Sequence, residues 1–216
     1  IRVFRILLGG TRRSDAGTRP GERLVTVLHA LGPSFIKLGQ ALSVRPDLVG
    51  DELADDLFAL QDRLPPFPAS QARAAIEAEF GHPVERIFAW FDDEPVAASS
   101  IAQVHFAVTS DGGDVAVKIL RPGIEERFAR DLDLFRWLAE LAERRLPAIR
   151  RLRPVETVET IAETVTMEMD LRFEAAAGDE LRANFEGDDS FRVPRMDWSR
   201  TGRRVLTLER VRGIPV

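Results

Sequence analysis

The chain has 216 residues, 44% of them hydrophobic and 30% charged, with a formal net charge of −5 at pH 7, so it can hold one large or two small domains with a true core and offers no electrostatic case for nucleic-acid binding. The absence of cysteine excludes disulfides and thiolate chemistry and fits a reducing compartment, and three scattered histidines speak against a zinc site. No apolar run reaches the roughly 18–20 residues that span a bilayer.

In the opening stretch Ile1, Val3, Phe4, Ile6, Leu7 and Leu8 mix with Arg2 and Arg5 and precede Arg12 and Arg13. Such a basic amphipathic segment suits a membrane surface, or a helix end that belongs against another part of a longer chain. From Pro20 to Gly81 the pattern is helical. Glu22 to Leu31 makes one helix, Pro33-Ser34 opens a second that runs to about Val44, and Arg45-Pro46-Asp47 breaks it. Asp51 caps a third helix over 52–63, with Leu53, Leu57 and Leu60 on one face. Pro65-Pro66-Phe67-Pro68 reads as a rigid connector, and Ser70 then caps a helix from Gln71 to Phe80 that Gly81 closes in the left-handed region.

After Pro83 the period changes. Three short strands are expected at 87–91, 100–108 and 115–120, the last two joined by the turn Asp111-Gly112-Gly113-Asp114. Ile124 to Arg145 returns to helix, with Phe128, Leu132, Phe135, Leu138 and Leu141 at three- and four-residue spacing. A link at 146–154 leads to one long helix over 156–185, and strands at 191–193 and 205–211 finish the pattern. The expected plan is a helical extension over 1–83, followed at 84–216 by a mostly antiparallel sheet with a long helix laid against it, an α+β fold.

The chain holds 30 Lys and Arg together, and only Lys37 and Lys118 are Lys. A compact ammonium and a planar guanidinium fork are not interchangeable where one phosphate or carboxylate must be met by a point charge. The bland account is chance survival in an Arg-biased composition. Neither position looks random, however. Lys118 ends the strand-like run Val115-Ala116-Val117-Lys118, where side-chain alternation puts small Ala116 on its own face and leaves room there for a flat ligand. Upstream, Ala97-Ala98-Ser99-Ser100 places four small residues before a strand, so a loop backbone can approach phosphates. A small-residue loop, a strand, a turn and a Lys, in that order, are what a loop that covers a nucleotide and a Lys that reaches its phosphates require. Downstream, Glu168, Asp170 and Glu174 are interleaved with Met167, Met169, Leu171 and Phe173. Acids held that close to a core need cationic partners, and Lys118 and Lys37 can serve. Gly39, between Lys37 and Gln40, costs about 1 kcal/mol against Ala in a helix, and close packing is the simplest compensation.

On these residues the chain resembles the UbiB/AarF atypical kinase-like family, called the ADCK group in animals. Lys37-Leu38-Gly39-Gln40 matches its K-x-G-Q motif, 97–105 its alanine-rich loop, Val115 to Lys118 its ATP-contacting strand, and Glu168-Met169-Asp170 its E-x-D motif. Glu174 matches the helix Glu that pairs with the Lys, and 205–215 is similar to the strand and hinge that receive adenine, through Glu209 and Val211. Ser99 stands where a third Ala is usual, and Ala102 where Gly is usual.

The resemblance implies a protein kinase-like N-lobe with a helical K-x-G-Q extension. The C-lobe is absent, with its H-x-D-x-x-x-x-N loop and D-x-G, and Arg130-Asp131-Leu132 is only a decoy for that loop. It implies ATP and Mg2+ as cofactors, the metal held by C-lobe residues. Lys118 and Glu174 would be catalytic, Ala97, Ala98, Ser99 and Ser100 would cover the phosphates, and Lys37, Gly39, Gln40, Glu168 and Asp170 would be regulatory, folded over the cleft where a protein kinase admits its peptide. The implied role is ATPase or small-molecule kinase chemistry in support of ubiquinone synthesis, with nucleotide, lipid or quinone precursors and quinone-synthesis proteins as partners. The implied place is the cytoplasm or the cytoplasmic side of a bacterial inner membrane, with peripheral membrane contact. The rival from another class is a non-catalytic ATP-binding regulator or scaffold of quinone-synthesis enzymes.

Overall fold

The computed structural model describes residues 19–60, 64–188 and 190–213. The basic apolar opening, residues 61–63 and the last three hinge residues lie outside the described residues, and the third expected helix stops before them, at Phe58. The chain divides into two compact units, each assembled from two separate stretches: residues up to 63 with 126–162, and 64–125 with 163 onward.

The first unit is helical. Helices α1 (Pro20–Leu31), α2 (Pro33–Ser43) and α3 (Pro46–Val49) each carry Pro in the first turn, where the missing N–H costs nothing. Gly32, at φ 102°, makes the corner between α1 and α2, and Gly50, at φ 88°, the corner before α4 (Asp51–Phe58). Leu28, Leu57 and Leu60 form a buried core with Leu24, Leu42 and Leu53 packed on it. The other side of α2 meets residues from far along the chain. Phe35 and Leu38 pack against Leu132, Phe135 and Ala139 of helix α7 (Ile124–Arg145) and Val158 and Ala162 of helix α8 (Pro154–Glu168). The rings of Phe35 and Phe135 meet edge to face at 4.9 Å, and Ser34 Oγ donates to Asp131 Oδ2 at 2.5 Å. Asp131 is thus a side chain of α7 engaged in packing helices, as expected of a decoy.

The second unit is built on a sheet with strand order β1-β3-β4-β5 and β2 paired to β3, all antiparallel. Its strands are β1 (Phe88–Phe91), β2 (Ala97–Ala98), β3 (Ala102–Thr109), β4 (Asp114–Leu120) and β5 (Val205–Glu209). Val115, Val117 and Ile119 alternate onto one face and are buried with Ala72 and Ile76 of helix α5 (Ala69–Phe80), Val84 of the short helix α6 (Val84–Ile87), Phe88 and Phe91. Because α5 supplies this core, the expected boundary at residue 83 runs through the second unit.

Other expectations are corrected too: Gly50 and Pro68, not Asp51 and Ser70, stand at the N-caps of α4 and α5, with no side-chain cap bond. The long helix over 156–185 is two helices, α8 and α9 (Leu171–Asn184), and the break has a cause. Asp170 takes extended dihedrals as the N-cap, its carboxylate accepts from Arg172 N at 3.1 Å, and Leu171 N donates to Arg203 O at 2.9 Å instead of continuing α8. The strand at 191–193 does not form. Only Met196 makes a bridge, to Leu208.

Candidate functional site

Strand register decides which side chains meet. Across the antiparallel pairs Lys118 stands opposite Val104 and Leu206, Ala116 opposite Phe106 and Leu208, and Ala97 opposite Val104. Directly opposed residues project to the same side, so Ala97, Val104, Ala116 and Lys118 share the face away from the α5 core. Phe106, Leu206 and Leu208 project to the same face; Ala97, Val104 and Ala116 are its smaller side chains and form a shelf with Lys118 at one end.

Helix α9 lies against β5 and carries Glu174 in its first turn. Lys118 Nζ donates to both Glu174 carboxylate oxygens, at 2.9 and 2.7 Å. The Lys side chain is 26% exposed and the Glu 52%. A pair this wet contributes at most about 1 kcal/mol to stability. What it does is hold the ammonium at a fixed point beside the shelf.

The loop between β2 and β3 is closed on Ser99. Its N–H donates to Ala102 O at 2.7 Å, and its hydroxyl accepts from Ile101 N at 3.3 Å and Ala102 N at 3.1 Å. Ser100 is fully buried. Serine in place of a third alanine thus organises the turn instead of loosening it. At the far edge Glu209 ends β5. Burial pushes its carboxyl up, but the Arg195 N–H and the Arg192 guanidinium outweigh that and hold it below the ordinary range. Val211 follows it and is exposed. Arg210, between them, stacks over the Phe106 ring at 3.6 Å from the centroid.

Lys37 and Gln40 are half-buried, one turn apart on α2 of the first unit, with Gly39 buried between them. A Cβ on Gly39 would come within 2.2 Å of Leu60 Cδ1 and 2.9 Å of Leu28 Cδ1. The close packing expected there is therefore spent inside the helical unit. In the second unit Glu168 ends α8, and Asp170 is engaged by its own neighbour. Arg172 Nε and an Nη reach its two oxygens at 2.8 and 2.6 Å, which holds the Asp170 carboxyl below the ordinary range.

Sequence reasoning missed a polar group inside the sheet unit. His105 and Gln103 both point inward from β3 and are essentially unexposed. Gln103 Nε2 lies 2.8 Å from His105 Nε2 and His105 Nδ1 lies 2.7 Å from Asp92 O, so the amide donates to Nε2 and Nδ1–H donates to the carbonyl. The signal was available: Gln103 and His105 stand at alternate positions of one strand, on the same side as Ala107 and Thr109. Arg121 was missed as well. It also lines a cavity of about 460 Å3 beside Ala74, Ala78 and Pro122, which neither Lys118 nor Glu174 lines.

An antiparallel sheet whose inner strand presents a Lys to a helix Glu defines a kinase-like N-lobe. Residues 59–216 match the ABC1 atypical kinase-like domain, and the chain belongs to that family. It is 46% identical over 196 residues to a probable protein kinase UbiB of Marinobacter nauticus, covering 91% of this chain and 36% of that protein. It is 45% identical over 217 residues to one of Pseudomonas aeruginosa, covering 97% and 40%. The chain thus spans well under half the length of these relatives. A solved complex of Rv3197 with erythromycin from Mycobacterium tuberculosis is 32% identical with a TM-score of 0.61, covering 89% of this chain and 48% of the other. Among the described residues, no helix is long and apolar enough to cross a membrane.

Proposed function

We propose that this chain is the ATP-binding part of an atypical kinase or ATPase that supports ubiquinone synthesis. The observation that carries the reading is Lys118, fixed by Glu174 at the end of a shelf made by Ala97, Val104 and Ala116. A nucleotide fits these residues. The adenine ring is flat and apolar enough for the shelf, and the ammonium meets phosphate oxygens as a point charge. Ala97 to Ser99 would border the phosphates, with Ser100 buried behind them, and the backbone at Glu209 and Val211 the adenine edge. Among the described residues no group of His, Asp and Glu is arranged to hold a metal, so Mg2+ would be carried in by the nucleotide and by residues elsewhere in the protein. Bound there, it would offset charge on the phosphates.

The family resemblance, in which Lys37, Gly39, Gln40, Glu168 and Asp170 are regulatory, favours a small lipid precursor over a peptide as phosphoryl acceptor. The relatives, probable protein kinases, support the kinase class, and the quinone pathway rests on the family resemblance. Calorimetric titration of the protein with Mg2+–ATP tests the reading. Lys118→Arg, whose fork is too wide for the slot beside Ala116, and Glu174→Gln are expected to raise the dissociation constant about tenfold without lowering the melting temperature. Unchanged affinity in both variants would refute it. Binding without turnover in the whole protein would favour the regulator or scaffold.

A further inference from the structure

Beyond Lys118, β4 ends at Leu120, and the next residue ties three segments together. Arg121 N donates to Ile101 O at 2.7 Å. One of its guanidinium nitrogens lies 3.1 Å from Ser99 O and 3.0 Å from Pro65 O, and the guanidinium sits over the Phe67 ring at 5.2 Å from the centroid. Ser99 is the residue on which the β2–β3 loop closes, and Pro65 to Phe67 is the connector that leads into the sheet unit. Gln103 fixes the connector from the other side. Its Oε1 accepts from Phe67 N at 3.0 Å and its Nε2 donates to Phe67 O at 3.3 Å, so one buried side chain meets both backbone groups of one residue. Phe67 itself is buried.

A charged donor shared between two carbonyls is a strong tether, since hydrogen bonds from ionised donors are stronger than neutral ones. Neither carbonyl belongs to a strand ladder that would place it without Arg121. We infer that Arg121 and Gln103 are positioning residues of the nucleotide loop. They set the Ser99–Ile101 turn against the Pro65–Phe67 connector, so the segment entering the sheet dictates where the loop stands over the shelf. This rests on the reading of Ala97 to Ser100 as a nucleotide loop. It adds a dependence of nucleotide affinity on residues that touch no nucleotide.

The test uses the full-length protein with Arg121→Met, which keeps the packing over Phe67 and loses both carbonyl contacts, and Arg121→Lys, which keeps the charge and reaches one carbonyl. Hydrogen exchange of peptides spanning 96–104, compared with those spanning 114–120, is measured first. Binding of the non-hydrolysable analogue Mg2+–AMP-PNP follows. Arg121→Met is expected to speed exchange at the Ser99 and Ala102 amides about tenfold, leave β4 unchanged and weaken AMP-PNP about tenfold, and Arg121→Lys is expected to recover part of both. Equal acceleration in the loop and β4 would mean a purely structural residue and overturn the inference. So would a loosened loop with unchanged AMP-PNP affinity. Wild-type protein that binds no AMP-PNP would instead overturn the nucleotide reading itself.

Discussion

His105 is a buried imidazole that the proposed chemistry does not use. Burial pushes it below its ordinary range, only partly offset by the Asp92 carbonyl and the charges of Asp92 and Asp93, while Arg73 reinforces the push. In the native state it stays neutral, accepting from Gln103 and donating to Asp92 O. Below about pH 6.5, the ordinary imidazole value, the unfolded chain takes up a proton that the folded chain does not, so stability falls with pH through that window. Urea unfolding between pH 7.5 and 5 should show this slope, and His105→Gln should flatten it; an unchanged slope would mean that other groups set it. Lys118 could be picked out from sequence because Lys is scarce here and strand alternation placed Ala116 beside it. Arg121 could not, because one Arg among so many carries no signal until its two carbonyl partners, 56 and 22 residues away, are in place.

At the level of elements, Gly39 sets a local preference against packing. Replacing it by Ala would gain about 1 kcal/mol of helix propensity. The added methyl would meet Leu60 and Leu28 well inside van der Waals contact, and overpacking of that kind costs about 1–3 kcal/mol. Packing should win, so Gly39→Ala is expected to lower the unfolding free energy measured in urea by a net of up to about 2 kcal/mol. A stabilised variant would show that Leu60 and Leu28 can give way before α2. The same contest explains what periodicity could and could not reveal. Helix α7 was readable to its ends because Phe128, Leu132 and Phe135 repeat without interruption. The split between α8 and α9 was not, since apolar spacing runs through 167–173 while the turn is made by one Asp170 carboxylate and one long-range bond to Arg203 O. The expected strand at 191–193 failed for the converse reason. A short apolar run has no ladder unless a strand edge lies free beside it, and the outer edge of β5 is taken by residues 195–197, where Met196 bridges Leu208.

For the molecule as a whole, binding and turnover separate. Phosphoryl transfer needs metals bridging the phosphates and a group that positions the nucleophile, and the chain has no match to the loop that supplies them. The 216-residue chain is expected to bind Mg2+–ATP weakly and release no phosphate above background, whereas the whole protein should turn it over. Phosphate release by the purified chain, scaled to its concentration and lost in Lys118→Arg, would sink this.

The helical unit is made from two stretches with the opening of the sheet unit between them, and that order has a consequence on the ribosome. Ser34 and Asp131 are 97 residues apart in sequence, which at synthesis rates of about 5–20 residues per second is a delay of roughly 5–20 s. Through that interval α2 has its Leu28 side covered by α1 and α4 while Phe35 and Leu38 wait for α7 and α8. The nascent chain therefore carries a half-dressed helix past the emergence of β1 to β4. It is in those seconds, rather than in the finished fold, that a chaperone would find something to hold.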